Sequence, residues 1–330
     1  MNIIIITPAA VKSLSGNRAT AARWGFFLKE LGHKVSIDVT WDGKPYDLMI
    51  ALHAWRSANS IQKWKQQYPD KSLIVAMTGT DLYQFIHTHS ELTLHSIELA
   101  DQLVVLHDLA YLALPESARD KVNIVYQSAH PLPFPIKRSK RTFDVCVVGH
   151  LRDEKDPLRA AYAVRDLPES SRIRIRHYGK AHNQEWAEMA QTEMKTNPRY
   201  HWFAEVKHWQ IRQVYARCHL MVLSSNMEGG ANVISEAAVA ALPVIASEIE
   251  GSIGLLGEDY LGYFPVQDTE ALSCLLLKAE TDASFMDKLE QQAKSRAELF
   301  HSSVEASQLK ALLHKLNVNE VFVSEVNQAS

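Results

Sequence analysis

Residues 2–39 read NIIIITPAAVKSLSGNRATAARWGFFLKELGHKVSIDV and contain the first instance of the pattern that predicts the architecture. Four consecutive isoleucines indicate a short buried strand. Apolar residues then recur every three or four positions from Trp24 to Leu31, which is the spacing of an amphipathic helix. Gly32 ends this helix, and residues 34–39 resume the strand pattern. The stretch is therefore a β-α-β unit.

The same alternation continues on both sides of a break near residue 130. In the first half, further strands are predicted at 47–52, 73–77, 103–106 and 123–126, with a helix at 61–67. In the second half, strands are predicted at 143–149, 172–178, 201–203, 220–223 and 243–246, and helices at 158–166, 183–195, 210–217 and 232–241. Beyond residue 268 the chain is predicted to be mostly helical to about residue 316. Successive β-α-β units predict an α/β fold with two doubly wound, Rossmann-like sheets.

The break, residues 129–141, contains three prolines and then the basic run 137–141. We interpret it as an inter-domain linker with solvated basic residues, although a phosphate-binding patch has the same composition. We therefore predict an N-terminal domain of residues 1–136 and a C-terminal domain of residues 137–330, whose tail can cross back to the first domain. The two domains are expected to face each other across a cleft. Ligands of such folds bind at the carboxyl ends of the strands.

Composition narrows the range of functions. The net charge is −3, so no general field attracts nucleic acid. The three cysteines form no C-x-x-C pair, which indicates buried thiols in a reducing compartment. The N-terminus lacks a signal-peptide pattern, and no apolar stretch approaches the roughly 20 residues that span a bilayer. We expect a cytoplasmic protein with no stable membrane association, and the oligomeric state stays open.

The most informative motif is EGGANVISE, residues 228–236, between a predicted strand and a predicted helix. The glycine pair allows the backbone to approach a ligand closely, and the helix start offers N–H groups to a diphosphate. Glu236 can accept hydrogen bonds from both ribose hydroxyls, and Glu228 can reach the hydroxyls of a sugar. The alternative is a glycine-rich turn without a ligand. The predicted donor-binding residues here are Glu228, Gly229, Gly230, Ala231, Asn232 and Glu236.

A second motif, GHLRDEKDP, residues 149–157, follows the first predicted strand of the second half. Its Arg152 and Lys155 can neutralise a leaving diphosphate without a metal ion. On its own, this segment is typical of an ordinary turn with exposed cations. Taken together with the first motif, it favours a binding site. We add Gly149, His150, Arg152 and Lys155 to the donor-binding residues. Arg152, Lys155 and Glu228 are the predicted catalytic residues.

Together the two motifs resemble the family 4 glycosyltransferases of GT-B fold, which have an E-x7-E element and an Arg/Lys pair after the first strand of the C-terminal domain. The resemblance covers nearly the whole chain. It implies a UDP- or GDP-type sugar donor, transfer that usually retains the anomeric configuration, and no metal ion. The absence of any Asp-x-Asp from the sequence agrees with the last point. We expect a hexosyltransferase that uses a UDP-sugar as co-substrate, with no cofactor.

The N-terminal half should hold the acceptor. A glycine, a helix start and an arginine coincide at Gly16, Asn17 and Arg18, which outlines an anion site, although a plain helix cap by Ser15 or Asn17 explains the same residues. A second loop contains Thr78 and Gly79, which are also predicted to bind the acceptor. Asp81 is expected to cap the helix that follows. This loop contains no histidine, so no general base is predicted there.

A closer resemblance, to the selenosugar synthase subfamily of selenoneine biosynthesis, rests on several short segments taken in combination. They are Thr7-Pro8, Gly16–Arg18, 51–54, 78–83, 126–129, 149–152, 228–232 and 254–260. This resemblance implies transfer from a UDP-sugar to selenophosphate, giving a 1-selenosugar, UDP and phosphate. It does not specify glucose or N-acetylglucosamine, or the anomeric outcome. The alternatives are transfer to a hydroxyl acceptor, a GT-B epimerase and a two-lobed sugar-binding protein.

Overall fold

The computed structural model describes residues 1–11, 13 and 15–328. These form two compact units, the first built from residues 1–127 and the chain from Ser302 onward, the second from Ser128–His301. The expected division at 136/137 therefore differs from the observed one. The proline-rich segment belongs to the second unit because Lys137 N–H donates to the Ala216 carbonyl and Arg138 pairs with Glu290. The basic run is thus only partly the solvated linker that composition suggested.

The first unit is a six-stranded parallel sheet flanked by helices. Its strands lie in the order β2-β1-β3-β4-β5-β6. The elements are β1 (Asn2–Ile6), α1 (Gly16–Glu30), β2 (Lys34–Asp38), β3 (Leu48–Leu52), α2 (Ala58–Gln67), β4 (Ser72–Ala76), α3 (Ile86–Thr88), α4 (Ser90–Leu99), β5 (Gln102–Val105) and β6 (Val122–Ile124). A π-helical turn, Asp81–Phe85, precedes α3.

The second unit repeats this architecture. Its sheet is parallel and ordered β12-β11-β10-β7-β8-β9. The elements are β7 (Phe143–Val148), α5 (Arg159–Ala163), β8 (Ile173–Tyr178), α6 (Gln184–Thr196), β9 (Tyr200–Trp202), α7 (His208–Arg217), β10 (Leu220–Leu223), α8 (Asn232–Val239), β11 (Val244–Ser247), α9 (Glu250–Leu256), β12 (Tyr263–Phe264), α10 (Thr269–Thr281) and α11 (Ala283–Arg296). A 3-10 turn, Asp153–Lys155, follows β7.

The last helix, α12 (Ser302–Gln328), returns to the first unit. Its Glu305 is fully buried and accepts hydrogen bonds from Arg23 Nε at 2.7 Å and Trp24 Nε1 at 2.8 Å. Leucines of α12 join α1 and one face of the sheet in a single apolar cluster, while α2 and α4 cover the other face. The inner strands β1, β3, β4 and β5 are therefore buried on both faces, as their continuous apolar runs require, whereas the edge strand β2 is partly exposed.

Each sheet has one point at which the chain reverses its direction of strand addition. In the first unit this switch lies between β1 and β3, and in the second between β7 and β10. The loops after these neighbouring strands diverge to opposite faces of the sheet and leave a crevice. The predicted acceptor segment 16–18 follows β1, and both predicted donor motifs follow β7 and β10. The topology therefore places the two donor motifs side by side.

Candidate functional site

Glu228 lies in the loop between β10 and α8, where two other groups hold its carboxylate. Lys155 Nζ forms an ion pair with Glu228 Oε1, and Ser225 Oγ donates a hydrogen bond of 2.6 Å to the same oxygen. The Glu228 side chain is only 8% exposed, so a cation and a hydroxyl compensate its charge instead of bulk water. The structure thus brings together Lys155 and Glu228, which were predicted from separate motifs.

The loop that contains Glu228 is positioned by two neighbouring segments. Asn226 N–H donates to the Glu154 carbonyl at 2.8 Å, which joins the loop to the turn after β7. Gly251 of α9 lies directly against Glu228, since a Cβ added to Gly251 would lie 2.1 Å from the Glu228 carbonyl oxygen. Only glycine permits an approach this close. The position of Glu228 therefore depends on a residue outside both motifs.

Glu236 lies in the second turn of α8, and each of its carboxylate oxygens has a partner on α7. Tyr215 OH donates to Oε2 at 2.8 Å, and His208 Nε2 lies 2.9 Å from Oε1. Burial and then the charge of Glu236 raise the pKa of Tyr215 well above its ordinary value, so the phenol remains a donor. A carboxylate has about four acceptor positions. Two therefore remain for the vicinal hydroxyls of a ribose.

The start of α8 supplies backbone N–H groups rather than side chains. Ala231 is the N-cap residue, and no side chain caps the helix. The leading N–H groups of a helix have no intrahelical acceptor and carry a positive partial charge, which suits a phosphate oxygen. The predicted donor residues Gly229, Gly230, Ala231 and Asn232 all lie at this helix terminus, next to Glu228 in the chain.

The end of β7 is open to a ligand at Gly149. Its N–H donates to the Tyr178 carbonyl at 2.9 Å, and its own carbonyl lies 3.2 Å from His177 Nε2. Apart from Gly149 itself and its two chain neighbours, no described residue has an atom within 4 Å of the position that a Cβ would occupy. Next to it, His150 Nδ1 accepts a hydrogen bond from Lys180 N–H at 3.1 Å. Burial lowers the pKa of His150. The ring is therefore neutral near pH 7, with its proton on Nε2.

Arg152 precedes the turn Asp153–Lys155 and forms a loose ion pair with Glu154. Its Nε lies 3.7 Å from Glu154 Oε2, beyond hydrogen-bond distance, and has no hydrogen-bond partner among the described residues. Lys155, at the other end of the turn, is the cation paired with Glu228. The two predicted cations therefore flank one short turn, where a guanidinium and an ammonium can both reach a diphosphate.

In the first unit, α1 begins at Gly16 without the cap that was one interpretation of this segment. Ser15 is the N-cap residue, but its side chain makes no capping bond, and Asn17 lies inside the helix. Ser15 Oγ and Arg18 Nη1 are both buried and have no hydrogen-bond partner among the described residues. The uncapped helix start and the arginine leave the anion-site interpretation in place for Gly16, Asn17 and Arg18.

The Thr78–Gly79 loop is held by Asp81, which was expected from the sequence to cap the following helix. Asp81 is fully buried, and its carboxylate accepts hydrogen bonds from the N–H groups of Thr78 at 2.9 Å, Gly79 at 2.8 Å and Ala54 at 2.9 Å. Asp81 therefore holds this loop and the end of β3 together, and it does not act as the N-cap of the turn that follows, since Thr80 has that position. The amides of Thr78 and Gly79 are thus already paired.

A histidine also contacts this loop, although the loop sequence itself has none. His53 follows β3 with a φ of 74° and is 2% exposed. Its Nδ1 accepts a hydrogen bond from Arg56 N–H at 3.2 Å, so the proton is on Nε2, which lies 3.0 Å from Thr80 Oγ1. Both ring nitrogens are engaged. His53 therefore supports the loop and has no lone pair left for a general base.

Sequence reasoning missed the residues that position the two glutamates. Ser225 precedes Glu228 by three residues, a spacing that could have indicated a local hydrogen bond. Tyr215, His208 and Gly251 had no such signal because their contacts with the site arise from helix packing.

No group of three His, Cys, Asp or Glu side chains that could hold a metal ion occurs among the described residues. Within the same part of the chain, none of the helices has the length and apolar character needed to cross a bilayer.

Two parallel six-stranded sheets, each flanked by helices, place the protein in the GT-B class of α/β folds. Residues 132–296, half of the chain, match the model of the family described as glycosyl transferases group 1. The chain belongs to this family, and the protein is a glycosyltransferase.

Solved structures of other proteins agree on the fold. The sucrose-phosphate synthase of Thermosynechococcus elongatus is similar, with a TM-score of 0.78 and 17% identity over 96% of this chain and 99% of that chain. HepE of Anabaena in complex with UDP-glucose gives 0.77 and 13% identity over 96% and 100%. A glycosyltransferase of Rickettsia africae gives 0.73 and 13% identity over 96% and 98%. No curated protein matches the chain.

Proposed function

We propose that the enzyme transfers a hexosyl group from a UDP-sugar to selenophosphate, with release of UDP. The observation that supports the donor half most directly is the joining of the two motifs through Lys155 and Glu228. These residues lie at the switch point of the second sheet, beside the uncapped start of α8. The likeness to HepE, which was solved with UDP-glucose, favours uridine as the base.

Each donor residue then has a definite role. Glu236, oriented by Tyr215, accepts the ribose hydroxyls. The N–H groups at the start of α8 and the side chains of Arg152 and Lys155 hold the diphosphate and stabilise the charge that grows on it as the sugar leaves. Glu228 accepts hydrogen bonds from the sugar hydroxyls. Two cations and a helix terminus supply this stabilisation, so we propose that no metal ion is needed.

The acceptor half of the proposal rests on the subfamily resemblance together with Arg18. The Arg18 guanidinium has a buried nitrogen that no described residue pairs with, at the uncapped start of α1, where an anionic acceptor would be stabilised. In the reaction, selenium attacks the anomeric carbon and the bond from that carbon to the diphosphate oxygen breaks. The electron pair leaves with UDP. Water then cleaves the selenium–phosphorus bond, which releases phosphate and the 1-selenosugar.

An anionic nucleophile requires no deprotonation. This agrees with the hydrogen bonds that already engage the carboxylate and the imidazole near Thr78. General-base assistance contributes roughly 10²–10⁴-fold when the acceptor is a hydroxyl. Asp81 is committed to three backbone N–H groups, and both nitrogens of His53 are engaged. Transfer to a hydroxyl acceptor is therefore the less favoured function.

The direct test is incubation of the enzyme with selenophosphate and a panel of UDP-sugars, followed by mass spectrometry for a 1-selenosugar and for UDP. We expect both products with at least one donor. UDP that appears only when a hydroxyl acceptor is supplied would refute the proposed acceptor and leave the donor site intact.

The role of Arg18 is tested in the same assay. We expect Arg18→Ala to raise the KM for selenophosphate about tenfold or more, because it removes a charged hydrogen bond, while the Kd for UDP stays the same. Arg141→Ala, which removes an exposed arginine, is the control for net charge. An unchanged KM for selenophosphate in Arg18→Ala would remove Arg18 from the acceptor site.

A further inference from the structure

Four buried polar atoms near the start of α1 have no hydrogen-bond partner among the described residues. They are Thr7 Oγ1, Ser15 Oγ, Arg18 Nη1 and Gln127 Oε1. Thr7 is fully buried and Gln127 is 4% exposed. Buried polar groups in folded proteins are almost always paired, and an unpaired guanidinium N–H is particularly unfavourable. A group of such atoms at one end of one unit therefore needs an explanation.

The four atoms belong to segments that meet at the carboxyl end of the first sheet. Thr7 directly follows β1, and Ser15 and Arg18 belong to the start of α1. Gln127 comes from the chain after β6, and its Nε2 donates a hydrogen bond of 2.6 Å to Thr20 Oγ1, one turn along α1 from Gly16. The Gln127 amide is thus attached to the same part of α1. This end of β1 is also the switch point at which ligands bind.

The chemistry of the four atoms is specific. The guanidinium can only donate, the hydroxyls of Thr7 and Ser15 can donate or accept, and the carbonyl oxygen of Gln127 can only accept. The amide nitrogen of Gln127 donates to Thr20. A fully deprotonated anion satisfies the donors but leaves the carbonyl unpaired. An oxyanion that retains one proton accepts hydrogen bonds from the donors and donates its own proton to the carbonyl. Phosphate monoanions and dianions carry such a proton near neutral pH, whereas sulfate carries none.

We propose that Thr7, Ser15, Arg18 and Gln127 form a binding site for a protonated tetrahedral oxyanion of the phosphate type, and that the site selects phosphate over sulfate. The identification of this oxyanion with the acceptor rests on the proposed function. The site itself rests on the unpaired atoms and on the topology of the first unit.

The test uses inorganic phosphate and sulfate as probes in isothermal titration calorimetry with the full-length protein. We expect phosphate to bind at least about tenfold more tightly than sulfate, because one hydrogen bond to a charged group is made with phosphate alone. Equal binding of the two anions, or no phosphate binding at millimolar concentrations, would overturn the proposal.

Two variants test the residues. Gln127→Met and Thr7→Val keep the approximate size of each side chain and remove its polar atoms, and each should weaken phosphate binding by about tenfold. Gln127→Met should also abolish the preference over sulfate. Ser252→Ala, which removes a buried hydroxyl of the second unit that has no partner in the part of the chain that the structure describes, is the matched control and should change neither Kd.

Hydrogen exchange of peptides from β1 and α1 in each variant reports whether the first unit remains folded. If Thr7→Val does not fold, Gln127→Met alone decides the question, and an unchanged phosphate Kd in Gln127→Met would refute the site. A wild-type enzyme that binds phosphate selectively but makes no selenosugar would support this site and refute the proposed acceptor.

Discussion

A carboxylate that binds a ribose must be ionised and oriented before the nucleotide arrives, and Glu236 meets both requirements through its partners on α7. Tyr215 is a buried donor whose pKa is raised by burial and by the charge of Glu236. The phenol therefore keeps its proton, and the negative charge stays on Glu236. It restricts the carboxylate to one orientation. Tyr215 thus acts on the nucleotide through Glu236 and is a positioning residue.

Tyr215→Phe should therefore raise the Kd for UDP by about three- to tenfold, because the variant loses a hydrogen bond to a charged group and Glu236 becomes less well oriented. Turnover at saturating donor should change little. A double-mutant cycle measured by calorimetry gives the clearest result: in a Glu236→Ala background, Tyr215→Phe should have no further effect on the Kd.

Tyr260→Phe is the matched control for this prediction. Its hydroxyl is also buried in the second unit, but it bonds to the backbone of Val244. We expect lower stability and an unchanged Kd for UDP. Additive effects of Tyr215→Phe and Glu236→Ala would show that Tyr215 acts independently of the glutamate.

At the scale of elements, the donor site depends on helices that pack against the loops of the sheet. α9 contacts the Glu228 loop so closely that a Cβ on Gly251 would lie 2.1 Å from the Glu228 carbonyl oxygen and 2.8 Å from its Cβ. The obstructing atoms belong to the backbone and its first side-chain atom, which cannot rotate away. A larger residue must therefore displace the loop or the helix.

We expect Gly251→Ala to lower kcat for sugar transfer by about 10–100-fold, because a displacement of about 1 Å at a catalytic group has an effect of this size. Gly25→Ala is the control, since the added Cβ meets the flexible end of Ile37 at 2.9 Å in the first unit. Steady-state kinetics and thermal unfolding of both variants distinguish a displacement of the Glu228 loop from a general loss of stability. Full activity in Gly251→Ala would show that Glu228 does not require its observed position.

The difference between motifs that are continuous in the chain and contacts that arise from helix packing explains what could be predicted from the sequence. Most strands and helices have periodic apolar patterns, and β10, for example, was predicted with its observed bounds. β12 has only two residues and contains no pattern to recognise. The two motifs were recognisable because each is continuous in the chain. The contacts of Tyr215, His208 and Gly251 were not, because they depend on how α7 and α9 pack.

At the scale of the whole molecule, the chain forms its units from segments that are not continuous. The tail was expected to be able to cross back to the first unit, but the helical pattern after residue 268 gave no indication that the change falls at Ser302. The change is stabilised by Glu305, whose buried carboxylate is paired with Arg23 and Trp24 of α1. A single sequence does not indicate that a carboxylate pairs with residues nearly 300 positions away.

Buried and half-buried histidines link the stability of both units to pH. Burial lowers the pKa of His53 in the first unit and of His150, His177 and His219 in the second. A group whose pKa is lower in the folded than in the unfolded state stabilises the fold at high pH, since the unfolded chain binds the proton more readily. All four therefore make the protein less stable as the pH falls below about 6.5.

His177 should dominate this effect in the second unit, because it is fully buried and its pKa is lowered to about 4. Its two nitrogens contact Tyr200 OH and the Gly149 carbonyl, so protonation also disturbs the end of β7. Between about pH 7 and pH 5, His177 should remove about 2 kcal/mol from the free energy of unfolding, and the loss should level off below about pH 4.

We expect His177→Gln to be less stable at neutral pH but to lose most of this pH dependence. Because the two units need not unfold together, the measurement is hydrogen exchange of peptides from β7 and β8 across a pH series, with the exposed His182→Gln as the control. A pH dependence as steep in His177→Gln as in the wild type would assign the acid sensitivity of the second unit to other groups.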